Sequence, residues 1–348
     1  LLFLCAVTLR SFAGPEPELT KPRLLKSITT PAGRLHLHYS PDGKTLVTDG
    51  VGRVARILDI KSGEILATVD GHIDKSEGAP GDRGTIRALA ISPDSKIVVT
   101  GGVDGVRLWD ARTGKPLADH LLKDAPRDIR YLTFSRDGKQ LAAAGLNIAV
   151  WDVARRTRTS FLEFGKNKDN FFTQPMIAFR DKGKLVAVGC QWDNEFANDV
   201  VIDGVSSKRV HLFKSPKPNY FDGALFVSPD GDRLIRRPSE DGKFAILDAD
   251  TAKPLATFFH PQSRLLTFAF SPDHSLLAVN WLGLNGKNDS HPRRCVVKVY
   301  ETDTGKERWT IPDLPVSPGL MAFGPKGRTL AIEIRSKPVI QVWELPAK

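Results

Sequence analysis

The chain has little with which to perform the chemistries that a sequence readily betrays. Its 348 residues include only three cysteines and eight histidines, and no cysteine and histidine fall at the spacing of a zinc site. There is no glycine-rich phosphate loop after a strand, no nucleophile elbow and no HExxH pair. Asp193, Glu195, Asp289 and His291 offer acids and bases, but they come from two well-separated stretches, where charged residues are usually just solvated. No catalytic residue, metal ligand or cofactor is therefore assigned, and the expectation is a protein that is not an enzyme. Long apolar runs are missing too. The nine residues Leu1–Leu9 are too few to span a membrane, and nothing in the body reads as a long amphipathic helix. The net charge is +10, yet no run of Lys or Arg exceeds two residues.

What is present is repetition. A Ser-Pro-Asp-Gly-like turn recurs at Ser40–Gly43, Ser92–Ser95, Ser135–Gly138, Arg180–Gly183, Ser228–Gly231, Ser271–His274 and Gly324–Gly327. A bulky residue followed by an acid recurs in step: Leu58-Asp59, Trp109-Asp110, Trp151-Asp152, Ile202-Asp203, Leu247-Asp248, Tyr300-Glu301 and Trp343-Glu344. Proline presets φ in such a turn and glycine accepts a positive φ. Strands and turns at a period of roughly 40–50 residues mean a radial array of four-stranded blades. The fold class is all-β, a seven-bladed β-propeller with strands a to d in each blade. Blade 7 lacks its own strand d, because the chain ends just after Trp343-Glu344. Lys21–Ile28 has no other blade to join, so it should close the ring beside Val339–Glu344, removing two open edges.

The pattern resembles the WD-repeat (WD40-type) family of β-propellers over about residues 22–345, best in Ile86–Gly114. Many members of that family fix each blade with a buried His–Ser/Thr–Asp–Trp network. Only blade 2 offers Thr100, Asp104 and Trp109 together, and residues 73–84 separate His72 from that blade. Ile202 and Leu247 stand where Trp would sit in blades 4 and 5. The resemblance thus implies blades held mainly by apolar packing, with Trp109, Trp151 and Trp343 as structural residues alongside Thr100 and Asp104.

Residues 1–13 resemble the end of a secretory signal peptide: an apolar run, then the small residues Ser11, Ala13 and Gly14. Residues 14–20 read as a linker and 21–348 as one propeller domain. The expected location is exported, whether periplasmic, secreted or at the cell envelope, if that reading holds, and cytoplasmic otherwise. Cys190 and Cys295 fall in blades 4 and 6 with blade 5 between, which favours two thiols over a bridge.

Loop lengths carry the functional signal. The a–b and c–d turns are short. The insertions fall at d–a connections (71–85, 121–128, 164–174, 214–222, 312–318) and b–c connections (190–198, 236–242, 280–294), all at one end of a four-stranded meander. Binding sites concentrate on long loops held by a rigid scaffold. Phe171, Phe172, Trp192, Phe196, Tyr220, Phe221 and Trp281 lie in or beside these loops, and aromatic residues anchor interfaces. Arg87 and Arg130 hold equivalent places near the channel mouth and could bind an anionic group or pair with Asp82 or Asp128. The first reading is a monomeric, non-catalytic platform for protein partners, acidic ones being favoured by the net charge. One alternative is a propeller enzyme or small-ligand binder at the channel mouth. The other is an anionic-polymer or nucleic-acid binder, with nucleic acid disfavoured for an exported chain.

Overall fold

The computed structural model describes residues 20–30, 36–49, 54–70, 72, 86–126, 128–163, 172–180, 184–193, 196–203, 209–213, 225–236, 243–259, 263–283, 295–311, 314, 318–334 and 337–347. Strand β1 (Arg23–Thr29) precedes the first blade. Blade 1 is β2 (Leu37–Tyr39), β3 (Thr45–Asp49), β4 (Val54–Asp59) and β5 (Ile65–Asp70). Blade 2 is β6 (Ala88–Ile91), β7 (Ile97–Gly102), β8 (Gly105–Asp110) and β9 (Pro116–Leu122). Blade 3 is β10 (Tyr131–Phe134), β11 (Gln140–Ala144), β12 (Asn147–Asp152) and β13 (Thr157–Glu163). Blade 4 is β14 (Phe172–Phe179), β15 (Leu185–Asp193), β16 (Phe196–Asp203) and β17 (Arg209–Phe213). Blade 5 is β18 (Phe226–Val227), β19 (Arg233–Arg236), β20 (Lys243–Asp248) and β21 (Pro254–Phe259). Blade 6 is β22 (Ser263–Phe270), β23 (Leu276–Gly283), β24 (Cys295–Glu301) and β25 (Glu307–Ile311). Blade 7 is β26 (Pro318–Phe323), β27 (Thr329–Ile334) and β28 (Val339–Glu344), completed by β1.

Each blade is an antiparallel meander, and β1 pairs with β28 from Arg23↔Glu344 to Thr29↔Val339. The first strand thus supplies the outer edge of the last blade, and an Arg23–Glu344 ion pair of 2.6 Å marks its start. The a–b turns explain their own sequence. In blade 1 the Ser40 hydroxyl donates to Asp42 Oδ1 at 2.6 Å and accepts the Thr45 N–H at 2.9 Å. Asp42 Oδ1 also accepts the Lys44 N–H, and Gly43 takes φ 74°. The same serine–aspartate bond forms at Ser92, Ser135, Ser228 and Ser271.

Cores lie between blades, because each sheet has two faces and only a neighbouring sheet can cover them. Trp109 is buried in the cluster joining blades 1 and 2, Trp151 between blades 2 and 3, and Trp343 between blades 6 and 7. Blades 4 to 6 use other means. Between blades 5 and 6, Trp281 packs edge-on against Phe244 and Phe258, at 5.3 and 6.0 Å between ring centroids. Its indole N–H donates to the Tyr300 hydroxyl at 3.2 Å. Ion pairs cross the same blade junctions. Arg180 of blade 4 holds Asp232 and Asp250 of blade 5, and Arg233 of blade 5 donates to Asp303 of blade 6 at 2.9 Å. Cys190 and Cys295 are separated by blade 5, and Cys295 is a thiol.

The outer strands share an irregularity that the repeats conceal. Register slips by one residue at Leu25, Leu66, Thr159, Val210, Leu255 and Arg308, in six of the seven blades. A bulge twists an edge strand away from flat pairing, which protects it from joining another chain. It also turns the extra side chain outward, so Leu25 and Leu66 are 49% and 52% exposed.

Ile28, by contrast, is 1% exposed between blades 7 and 1. Ile28→Ala should destabilise the protein by about 2–5 kcal/mol. Leu25→Ala, three residues away, should change stability by no more than about 0.5 kcal/mol. Urea titration of the two variants checks the contrast.

Candidate functional site

The two ends of the ring are unequal. The b–c hairpins and d–a connections share one end, and their heights differ by blade. In blade 3 the pairing of β11 with β12 stops at Ala144↔Ile148, three residues beyond the Leu141↔Trp151 pair. In blade 4 the pairing of β15 with β16 continues to Asp193↔Phe196, six residues beyond the matching Ala187↔Ile202 pair. That excess of three residues raises blade 4 by about 10 Å. Blade 6 also rises, with β23 and β24 paired to Leu282↔Cys295. The segment 190–198, read from sequence as a long loop, is instead mostly a paired ribbon. Residues 190–193 belong to β15 and 196–198 to β16.

This geometry sorts the sequence-derived candidates. Phe172 pairs with Gln191, Trp192 with Ala197 and Phe196 with Asp193, so three of the aromatic positions share the raised ribbon of blade 4. Phe171, Tyr220 and Phe221 lie outside the described residues. Trp281 does not belong to the rim. It stands near the end of β23 and is 0% exposed, its ring packed in the blade 5–6 core against Phe244 and Phe258 and its N–H bonded to Tyr300. Arg87 and Arg130 meet through Asp128: Arg87 Nη1 donates to Asp128 Oδ1 and Arg130 Nε to Asp128 Oδ2, at 3.0 Å for the latter. The two cations are thereby partly neutralised. The cluster Arg155, Arg156 and Arg158 is committed likewise, to Asp152, the Ala118 carbonyl and the Asp124 carbonyl.

Blade 2 holds a complete polar network that the sequence left open. His72 Nδ1 lies 2.5 Å from Asp104 Oδ1, and His72 Nε2 lies 2.7 Å from Thr100 Oγ1. Trp109 Nε1–H donates to the same Thr100 hydroxyl at 2.8 Å. Arg107 adds an ion pair to Asp104 Oδ2 at 2.6 Å. Residues 73–84, inserted after His72, therefore do not detach it from the blade. Burial alone would raise the Asp104 pKa, but the hydrogen bonds from His72 and Arg107 outweigh it and hold the carboxyl at about 2.

The profile of the family described as "WD domain, G-beta repeat" matches residues 63–110, the stretch that contains this network. The chain is a seven-bladed β-propeller with a WD repeat in its second blade. It is 33% identical over 116 residues to WD repeat-containing protein 82 of Drosophila melanogaster, covering 33% of this chain and 34% of that one. It is 30% identical over 241 residues to eukaryotic translation initiation factor 3 subunit I of Scheffersomyces stipitis, with 63% of each chain covered. Pre-mRNA-processing factor 19 of Oryza sativa subsp. japonica is 28% identical over 116 residues, a fifth of its length. The chain thus spans less than two thirds of each of these relatives. The β-propeller domain of Myceliophteria thermophila Cps50 (Swd1) superposes with a TM-score of 0.64, covering 92% of this chain and 99% of that domain. At 16% identity this likeness concerns the fold.

The network gives the WD-repeat chain a defined acid response. A carboxyl whose folded pKa lies below its unfolded value stabilises the fold above that unfolded value, about 3.9. The contribution is lost as pH falls through about 2. Stability should therefore decline between pH 4 and pH 2, and Asp104→Asn should flatten part of that decline while lowering stability at pH 7. Urea midpoints measured at pH 7, 4, 3 and 2 check this.

Proposed function

We propose that this WD-repeat chain is a monomeric, non-catalytic platform for protein partners, and that the elaborated end is its docking face. The observation that carries the reading is the raised ribbon of blade 4, paired three residues further than the matching hairpin of blade 3. A rigid β-ribbon standing above its neighbour offers a step against which a partner can seat, with Phe172, Trp192 and Phe196 on its strands. Rigid elements hold binding side chains more precisely than loops do. Support also comes from the relatives. Their names include those of a pre-mRNA-processing factor and a subunit of a translation initiation factor. Those names also support the cytoplasmic alternative over export. Residues 1–13, on which export rests, lie outside the described residues.

Charge enters as steering. The net charge of +10 favours an acidic partner, whose association should slow as salt rises. The polymer-binding alternative has no run of Lys or Arg longer than two residues to rest on. Affinity capture from the source cell should recover partners with the parent and lose them with Trp192→Ala/Phe196→Ala. A control pair at the opposite end, Lys96→Ala/Lys139→Ala, should retain them. Equal recovery with all three folded proteins would remove the elaborated end from consideration.

A further inference from the structure

The plain end of the ring holds a feature that the docking face does not use. The a–b turns of blades 1 to 6 surround a cavity of about 900 Å³ on the ring axis. That volume lies within the range of sites that enclose small organic ligands. Much of its wall is apolar, with Ile91, Leu132, Phe134, Phe179, Val227 and Phe270 among the lining residues. Its rim is stiff. Pro41, Pro93, Pro229 and Pro272 each stand second in their turns, where the pyrrolidine ring fixes φ. Arg180 lines the mouth, but it is already bonded to Asp232 and Asp250, and Asp230 accepts from the Ser228 hydroxyl. The fixed charges there are engaged within the protein itself.

Two imidazoles on the wall are different: among the described residues, His274 faces Asp230 through Nε2 and leaves its buried Nδ1 without a partner, and His38 leaves both ring nitrogens open. His38, on β2, stacks on His36 with ring centroids 6.4 Å apart. His36 in turn bonds the buried Asp49 at 2.9 Å. Among the described residues neither ring nitrogen of His38 has a hydrogen-bond partner, although the ring sits deep in the molecule. Burial, reinforced by His36 and opposed by Asp49, pushes its pKa down to about 4. The imidazole is therefore neutral at physiological pH and presents one donor and one acceptor. Water in a well with such walls finds few partners. A molecule that covers the apolar wall and also pairs with the imidazole satisfies both.

We propose that this cavity binds an uncharged, largely apolar ring compound carrying one hydrogen-bonding group, and that His38 reads that group. The site is separate from the docking face and is independent of whether that face binds protein.

Indole and toluene are suitable probes, similar in size and differing in the N–H. The full chain is titrated with each by ligand-observed NMR, and crystals are soaked to locate them. Indole should bind saturably, with density in the cavity, and more tightly than toluene. His38→Phe, which keeps an aromatic ring, should weaken indole roughly three- to ten-fold, the worth of one net hydrogen bond, and leave toluene nearly unchanged. Thr133→Phe, placed on the cavity wall, should reduce both. Melting temperatures establish that the variants are folded. Non-saturable binding, density elsewhere, or parental affinity in Thr133→Phe overturns the site. An unchanged preference for indole in folded His38→Phe overturns the role of His38.

Discussion

The pairing of β1 with β28 is the constraint on which the rest of the structure depends. A blade is a sheet with two faces, and a linear row of blades would leave two faces and two edges open. Closing the row into a ring covers both faces. Here closure relies on a strand that comes from the opposite end of the chain, with Ile28 packed among Leu37, Leu46, Leu58 and Ile340. Six backbone pairs and one buried isoleucine thus join blade 7 to blade 1. Every other inter-blade core presupposes that junction, because the ring geometry fixes the angle at which neighbouring sheets meet.

Within the ring, two kinds of chemistry hold the blades together. Blades 2, 3 and 7 use tryptophans at the inter-blade faces, and blade 2 adds a buried polar network around Thr100. Such networks rigidify when every member is satisfied. Blades 4 to 6 lack tryptophan at the matching positions of blades 4 and 5, and there the junctions carry Arg180, Arg233 and the Trp281 aromatic cluster. The ion pairs lie near the surface, so their contribution is modest. The apolar and aromatic contacts stabilise these junctions more than the ion pairs do.

The sequence was most legible where a local rule repeats. The Ser-Pro-Asp turns, the bulky-acid pairs and the missing last strand are all local signals, and together they specify the seven blades and the closing strand. Side-chain direction was less legible. Trp281 follows an apolar strand and precedes a long insertion, so its position suggests a rim. Its burial depends on Phe244 and Phe258 of another blade, which no local pattern reveals. His72 was doubtful because twelve residues intervene, yet chain length between two points does not set the distance between them. The segment 190–198 is an insertion at a b–c connection, and its excess length made it read as a loop. A ribbon projecting beyond the ring has no core to bury, so apolar alternation fails there as a signal. The outer bulges were invisible for a related reason: their extra residue differs in type from Leu25 to Thr159 to Arg308.

Function follows from the contrast between the two ends. A closed ring holds one elaborated end and one plain end rigidly apart, with a raised ribbon, the proposed docking face, on one side and an apolar well on the other. Both depend on the ring behaving as a single cooperative unit. Native-state hydrogen exchange of the β1 amides tests that directly. The amides of Lys26–Thr29 should be protected to the level of the slowest amides in β11 and β23, showing that β1 is released only with global unfolding. Exchange of those amides at the rate of a fraying terminus, while β11 and β23 stay protected, would contradict closure by β1 as the constraint that holds the ring.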